Sequence, residues 1–157
     1  MKSTDVVNVV ITVAVLVLIL FRQLRAQPAK INTPLVLVVG IIGVVETVTF
    51  LSQHGRGGGR AYVALVGSLV LAVVLGGIRA YTMRVWVDGG QIWRQGNWLT
   101  AGLWILSLAV HFGYDYLVDG KGPDAGLGAA TALLYFAVTY TVQRYVVLAR
   151  GQRMIAG

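Results

Sequence analysis

The apolar residues of this chain come in long runs. Five of them, Asp5 to Leu24, Pro34 to Ser52, Ala61 to Ala80, Trp98 to Leu117 and Ala125 to Leu148, are almost continuously hydrophobic. Each approaches the ~20 residues with which a helix crosses a hydrocarbon core of about 30 Å. The fifth exceeds that length and is expected to leave the membrane still helical at its C-terminal end. The predicted fold is an all-α membrane protein, a five-transmembrane-helix bundle forming one integral domain over residues 1–157. Four spans with one re-entrant or interfacial segment are the alternative. The first run ends directly in "FRQLR", and its N-terminal flank holds only Lys2 against Asp5. That pattern predicts a retained anchor rather than a cleaved signal peptide.

Between the third and fourth runs the pattern changes period. In "RVWVDGGQIWRQGNW", residues 84–98, Val85 and Val87 alternate with Arg84, Trp86 and Asp88, and Ile92 alternates with Trp93 and Arg94 on the return. The intervening "DGG" tolerates positive φ, so a short β-hairpin is expected over residues 84–95. The two-residue loop is Asp88 and Gly89 or Gly89 and Gly90. Either choice puts Trp86 and Trp93 on one face, with Val85, Val87 and Ile92 on the other. A lone hairpin is marginal in water and must pack on something. It either lies at the headgroup boundary with Trp86, Trp93 and Trp98 as interfacial aromatics, or offers Trp86, Asp88, Trp93 and Arg94 as a docking surface for a partner.

A helix ending "LGGIRAYTMRVWV", the turn "DGG", the return "QIWRQG" and a following Trp-containing helix together resemble the CcdC-like family of small bacterial membrane proteins. Members of that family are associated by name with cytochrome c biogenesis. The resemblance implies a small multi-pass membrane protein and brings with it no defined reaction, cofactor or catalytic residue.

Composition agrees with a lipid solvent: 57% of the 157 residues are hydrophobic and 12% charged, too apolar for a soluble domain of this size. The net charge of +7 is distributed by loop rather than gathered on a nucleic-acid-binding module. With the N-terminus outside, the inner connections carry Arg22, Arg25, Lys30, Arg79, Arg84, Arg94, Arg144, Arg150 and Arg153. The outer ones carry Lys2, Arg56, Arg60 and Lys121. That bias predicts N-out, C-in in a bacterial inner membrane, with anionic lipid as the basic loops' partner and no nucleic acid. The chain has no cysteine, which excludes disulfides, thiolate metal sites and C-x-x-C-H haem attachment.

Polarity inside the runs is costly and therefore informative. Glu46 in "VVETVTF" and His111 in "LAVHFGYD" stand about 11 and 13 residues into the second and fourth runs, roughly 16 and 20 Å of helix. At comparable depth they could meet, since an unpaired charged acid at mid-membrane costs about 2.5–3.5 kcal/mol. Tyr114, Asp115, Tyr135 and Thr139 would extend this intramembrane cluster, with Thr49, Gln53 and Ser107 at helical offsets. Its role is either a buried hydrogen bond that fixes packing or proton-linked binding. Thr131, Tyr135, Thr139 and Gln143 recur every four residues, a row that should face protein or water. Ala64, Ser68, Ala72, Gly76 and Ala80 recur likewise, and such small residues let helices approach closely, within the bundle or as a homodimer seam. Arg79 and Arg144 fall near the inner boundary, where snorkelling is the default and headgroup binding the functional reading.

Other motifs carry less. "HGRGGGR" at 54–60 lacks the G-K-[ST] ending of a P-loop and reads as an outer loop. His54 and His111, in separate runs, make a poor zinc or haem site, and Asp124 reads as an N-cap for the last helix. With no nucleophile, base and orienter together, no enzyme activity and no cofactor are expected. The expected function is a scaffold, accessory or sensory subunit that presents the hairpin and basic loops to a membrane or cytoplasmic protein partner. The rival is a small proton-coupled transporter working through Glu46 and His111.

Overall fold

The structure, a computed structural model, describes residue 17 and residues 21–30, 34–54, 59–119 and 127–157. The first helix, α1, is described at residues 21–24. Then follow β1 (Gln27–Pro28), α2 (Pro34–His54), α3 (Gly59–Thr82), β2 (Arg84–Asp88), β3 (Gln91–Gln95), α4 (Trp98–Asp119) and α5 (Leu127–Ala156). Three helices are long and apolar enough to cross a membrane, over Val36–Gln53, Ala61–Thr82 and Ala130–Ala156, while Trp98–Tyr114 is a shorter apolar helix among the described residues. Most of the first expected span, the "HGRGGGR" glycines and arginine at 55–58, Lys121 and Asp124 lie outside the described residues.

Among the described elements α5 is the hub, packing against α2, α3 and α4 and against both hairpin strands. Its every-fourth row is buried throughout: Thr131, Tyr135, Thr139, Gln143 and then Val147 are each at most 2% exposed. The small row of α3 is buried too, and a Cβ at Gly76 would stand 2.6 Å from the Thr139 carbonyl oxygen. On the other flank, a Cβ at Gly43 of α2 would collide with the backbone of Leu133 and Leu134. At both crossings backbone approaches backbone, which is how helices gain packing contact where burial alone supplies little drive. Thr47 caps the α2 contact, its hydroxyl donating to the Gly43 carbonyl at 2.7 Å.

The hairpin turn is Gly89 and Gly90, at φ 56° and 76°, flanked by the pair Asp88 and Gln91. Positive φ at both loop residues matches the right-handed twist of the strands. The sheet has a third strand that local pattern does not announce: β1 pairs antiparallel with β3, giving the order β1-β3-β2. Pro28 is tolerated because β1 is an edge strand. Val85 packs with Ala80, Met83 and Val147, joined by Ala29, Ile92 and Val146, so the aliphatic face of the hairpin closes one end of the bundle.

The same end is tied by side chains. Arg150 donates to the carbonyls of Ala80 (2.6 Å) and Met83 (3.2 Å), satisfying acceptors that the end of α3 leaves open. Arg144 donates to the Lys30 carbonyl at 2.6 Å. Asn97 caps α4, its Oδ1 accepting from the Thr100 backbone N–H at 2.9 Å, and its Nδ2 donates to the Thr82 carbonyl at 3.0 Å. The α1–β1 connection, the sheet and the C-terminal part of α5 are thus one body.

Candidate functional site

Period-two geometry decides where the hairpin charges go. Arg94 pairs with Val85, so it lies on the inward face with Ile92 and not beside Trp93. It is 4% exposed and donates through Nη2 to the Tyr140 hydroxyl at 3.0 Å. This corrects the expectation that Arg94 belongs to an outward docking face. One turn along α5, Arg144 donates to the same oxygen at 3.3 Å, and its guanidinium carbon lies 4.8 Å from the Tyr140 ring centroid.

Arg94, Arg144 and Tyr140 line a cavity of about 140 Å³. Its other walls are Arg22 and Gln23 of α1, Gln27 of β1, Val36 and Val39 of α2, and Phe136 and Ala137 of α5. No acidic side chain is among these residues. Gln23 is 6% exposed, and among the described residues neither polar atom of its carboxamide has a hydrogen-bond partner, nor does Arg94 Nη1. Buried polar atoms in native proteins are nearly always paired, which makes the Gln23 carboxamide and Arg94 Nη1 the notable polar groups of this cavity. The chemistry on offer is anion binding, through guanidinium forks and one phenol.

Arg79 does not snorkel. It is 0% exposed, with Nε and both Nη atoms lacking hydrogen-bond partners among the described residues, and lies over the Trp104 ring. On α3 it stands three residues after Gly76 and next to Ala80, on the side that faces the bundle, so its chain cannot reach the boundary. Trp104 in turn packs on Phe136, ring centroids 4.4 Å apart, at the wall of the cavity.

The intramembrane cluster is differently composed from the expected one. His111 Nδ1 shares a 2.9 Å hydrogen bond with Ser68 Oγ, and its ring stacks on Tyr135 at 4.3 Å. The Tyr135 hydroxyl lies 2.7 Å from Ser107 Oγ. These groups are sealed inside the bundle, each at most 2% exposed. Thr139 is buried beside them but donates within its own helix, to the Tyr135 carbonyl. Tyr114 reaches the Val63 carbonyl at 3.5 Å, and the Asp115 side chain lies outside the described residues. Glu46 is not a member. It is exposed on α2, which packs chiefly on α5, so α5 lies between it and His111 on α4 and the expected pair does not form.

Trp86 and Trp93 face each other across the hairpin with ring centroids 6.4 Å apart and planes 15° from parallel. Both are half-buried, with Arg84 5.7 Å from the Trp86 ring and Asp88 exposed at the tip.

Sequence reasoning missed Arg22, Gln23, Gln27 and Tyr140 as cavity residues. The available signal was the Tyr140 and Arg144 pair at helical spacing, together with polar residues just after the first apolar run. Among the described residues no group of His, Cys, Asp and Glu could hold a metal ion. Comparison of the chain with family models, with curated proteins and with solved structures finds no match.

Proposed function

We propose that this chain is a five-span bacterial inner-membrane protein, N-terminus outside and C-terminus cytoplasmic, that acts by binding rather than by catalysis. It serves as a scaffold, accessory or sensory subunit whose sheet-capped end meets the cytoplasm and a protein partner. Kinship with the CcdC-like proteins belongs to the same proposal. One observation carries the reading: the three segments holding nine of the 13 basic residues are joined at one end of the bundle. The ties are the β1–β3 pairing and the bonds from Arg144 to Lys30 and from Arg150 to Ala80. Segments bound together in this way share one side of a membrane, and positive charge favours the inner side. The stacked Trp86 and Trp93, on the sheet face turned away from the bundle, give that end an aromatic surface of the kind that anchors interfaces.

Single cysteines at Gly57 and Gly90, probed with a membrane-impermeant thiol reagent in intact cells, test the topology. Gly57 should label and Gly90 should label only after lysis; equal labelling from outside rejects five spans. Purification in mild detergent with mass spectrometry tests the partner role. A partner retained by the wild type and lost from the variant carrying Trp86→Ser and Trp93→Ser supports it, and identical recovery from both contradicts it.

A further inference from the structure

Exposed aromatic side chains mark two levels along the bundle. Tyr81 near the end of α3, Trp98 at the start of α4 and Tyr145 in α5 are 68%, 81% and 71% exposed, and contacts between the helices set them at one depth. Thr82 Oγ1 lies 3.0 Å from Thr100 Oγ1, and Asn97 Nδ2 donates to the Thr82 carbonyl at 3.0 Å, which levels Trp98 with Tyr81. Helices α3 and α5 run parallel, meeting at Gly76 and Thr139 and again at Ala80 and Val147. Tyr81 follows the first crossing by five residues and Tyr145 by six, a difference in level of about 1.5 Å. At the other end Tyr62 and Tyr116 are exposed, and the Tyr114 hydroxyl reaches the Val63 carbonyl at 3.5 Å, which brings them level too. We propose that Tyr81, Trp98 and Tyr145 form an interfacial girdle that seats this end of the bundle in the headgroup layer of a bilayer, with the three-stranded sheet held beyond it in water.

The interval between the two levels is what points to lipid. Tyr62 and Tyr81 are 19 residues apart on α3, and Trp98 and Tyr116 are 18 apart on α4, about 28 and 27 Å of helix. A bilayer's hydrocarbon core is about 30 Å thick. Two helices running in opposite directions therefore give one thickness. Between Tyr62 and Tyr81 every exposed position of α3 is valine or isoleucine, namely Val63, Val66, Val70, Val73, Val74 and Ile78. Tyrosine and tryptophan favour the boundary of such a slab because each joins an apolar ring to one polar group that stays wet. A protein-binding patch has no need to repeat this interval on two helices, so the occupant is the bilayer.

Helix α5 carries the sheet past that boundary. Gly151 stands six residues beyond Tyr145, about 9 Å of helix, and its backbone packs on the Ile92 side chain of β3. The headgroup region adds about 5–7 Å to each side of the core. Ile92 thus lies at or past its outer edge. Trp93 follows Ile92 in the strand and Trp86 pairs with Trp93, so these two tryptophans are not girdle residues. The inference rests on the membrane reading proposed above and narrows it, because a face held in water takes a soluble protein and not a bilayer-embedded one.

The test measures depth in vesicles of phosphatidylcholine and phosphatidylglycerol holding the full chain. With no native cysteine, the variants Tyr81→Cys, Trp98→Cys, Tyr145→Cys, Val70→Cys and Gln91→Cys each take one nitroxide label, whose collisions with oxygen and with a water-soluble nickel complex report its depth. Labels at 81, 98 and 145 should lie within about one helical turn, ~5 Å, of a common depth at the boundary, with the label at 70 up to about 16 Å deeper and the label at 91 in water. Three inner labels at unequal depths, or shielded from both reagents as in a protein contact, overturn the proposal while a deep label at 70 leaves the membrane reading standing. A label at 70 as open to nickel as the one at 91 overturns both. A second measurement leaves the tyrosines in place: lipids brominated just below the headgroup should quench the wild-type tryptophan fluorescence, and Trp98→Phe should remove the larger part of that quenching. Quenching that Trp98→Phe leaves unchanged overturns the girdle, whatever the labels show.

Discussion

The guanidinium carbon of Arg79 lies 3.7 Å from the centroid of the Trp104 ring, with the arginine wholly shielded from solvent. A desolvated cation over an indole face gains about 2 kcal/mol, whereas removing a charge from water costs several kcal/mol even after relaxation. Desolvation therefore outweighs the ring contact, and among the described residues no hydrogen bond to the guanidinium offsets it. Arg79→Met, which keeps most of the volume, should leave thermal stability in detergent unchanged or raised by about 1–4 kcal/mol. Trp104→Ala removes the ring and leaves the charge in place, and should cost about 3–5 kcal/mol. A methionine variant that unfolds at lower temperature than wild type would show that Arg79 makes a stabilising contact beyond the indole.

The α2–α5 crossing depends on the missing side chain of Gly43. A Cβ there meets the Leu133 and Leu134 backbone, which cannot rotate away as a side chain can. Gly43→Ala should lower stability by about 1–3 kcal/mol through overpacking. Gly102 of α4 has open space around its Cβ position, so Gly102→Ala should be neutral or gain about 0.5–1 kcal/mol from helix propensity. Parallel melting curves in one detergent separate the two; equal shifts would deny close packing at Gly43.

Glu46 and His111 should behave as independent residues. A double-mutant cycle with Glu46→Gln and His111→Gln is expected to give a coupling energy below about 0.5 kcal/mol. Ser68→Ala, by contrast, removes the hydroxyl bonded to the buried His111 Nδ1 and should cost about 1–3 kcal/mol. Strong coupling between Glu46 and His111 would mean that α5 does not separate them.

Replacing Gly89 and Gly90 by valine forces β-branched residues into the left-handed region, at about 1–2 kcal/mol each. The hairpin should loosen while the four long helices persist. Limited trypsin digestion of the purified protein should then cut after Arg84 or Arg94, with helical circular dichroism unchanged. A digestion pattern identical to wild type would place the strain elsewhere.

Much of the architecture was legible because it is local. Apolar run length depends only on neighbours in sequence, and four of the five expected windows coincide closely with α2 to α5. Rows at spacing four, from Ala64 to Ala80 and from Thr131 to Gln143, are buried because a helix places every fourth residue on one side. The turn at "DGG" was visible for the same reason, since positive φ is a property of two adjacent glycines. Strand β1 was not visible: Gln27 and Pro28 have no alternation to show, and their pairing depends on a partner more than 60 positions away.

The site was mostly illegible, because it depends on which helix lies beside which. By itself the sequence determined a chain of long apolar helices, one hairpin, and positive charge at alternate connections. Only the tertiary structure decided that α5 is the hub of the described elements. From that follow the separation of Glu46 from His111, the burial of Arg79 against Trp104, and the meeting of Arg22, Arg94 and Arg144 around Tyr140. Helical periodicity fixes the direction of each side chain about its own axis, and neighbour choice, set by close approaches such as Gly43 on Leu134 and Gly76 on Thr139, fixes what that direction meets.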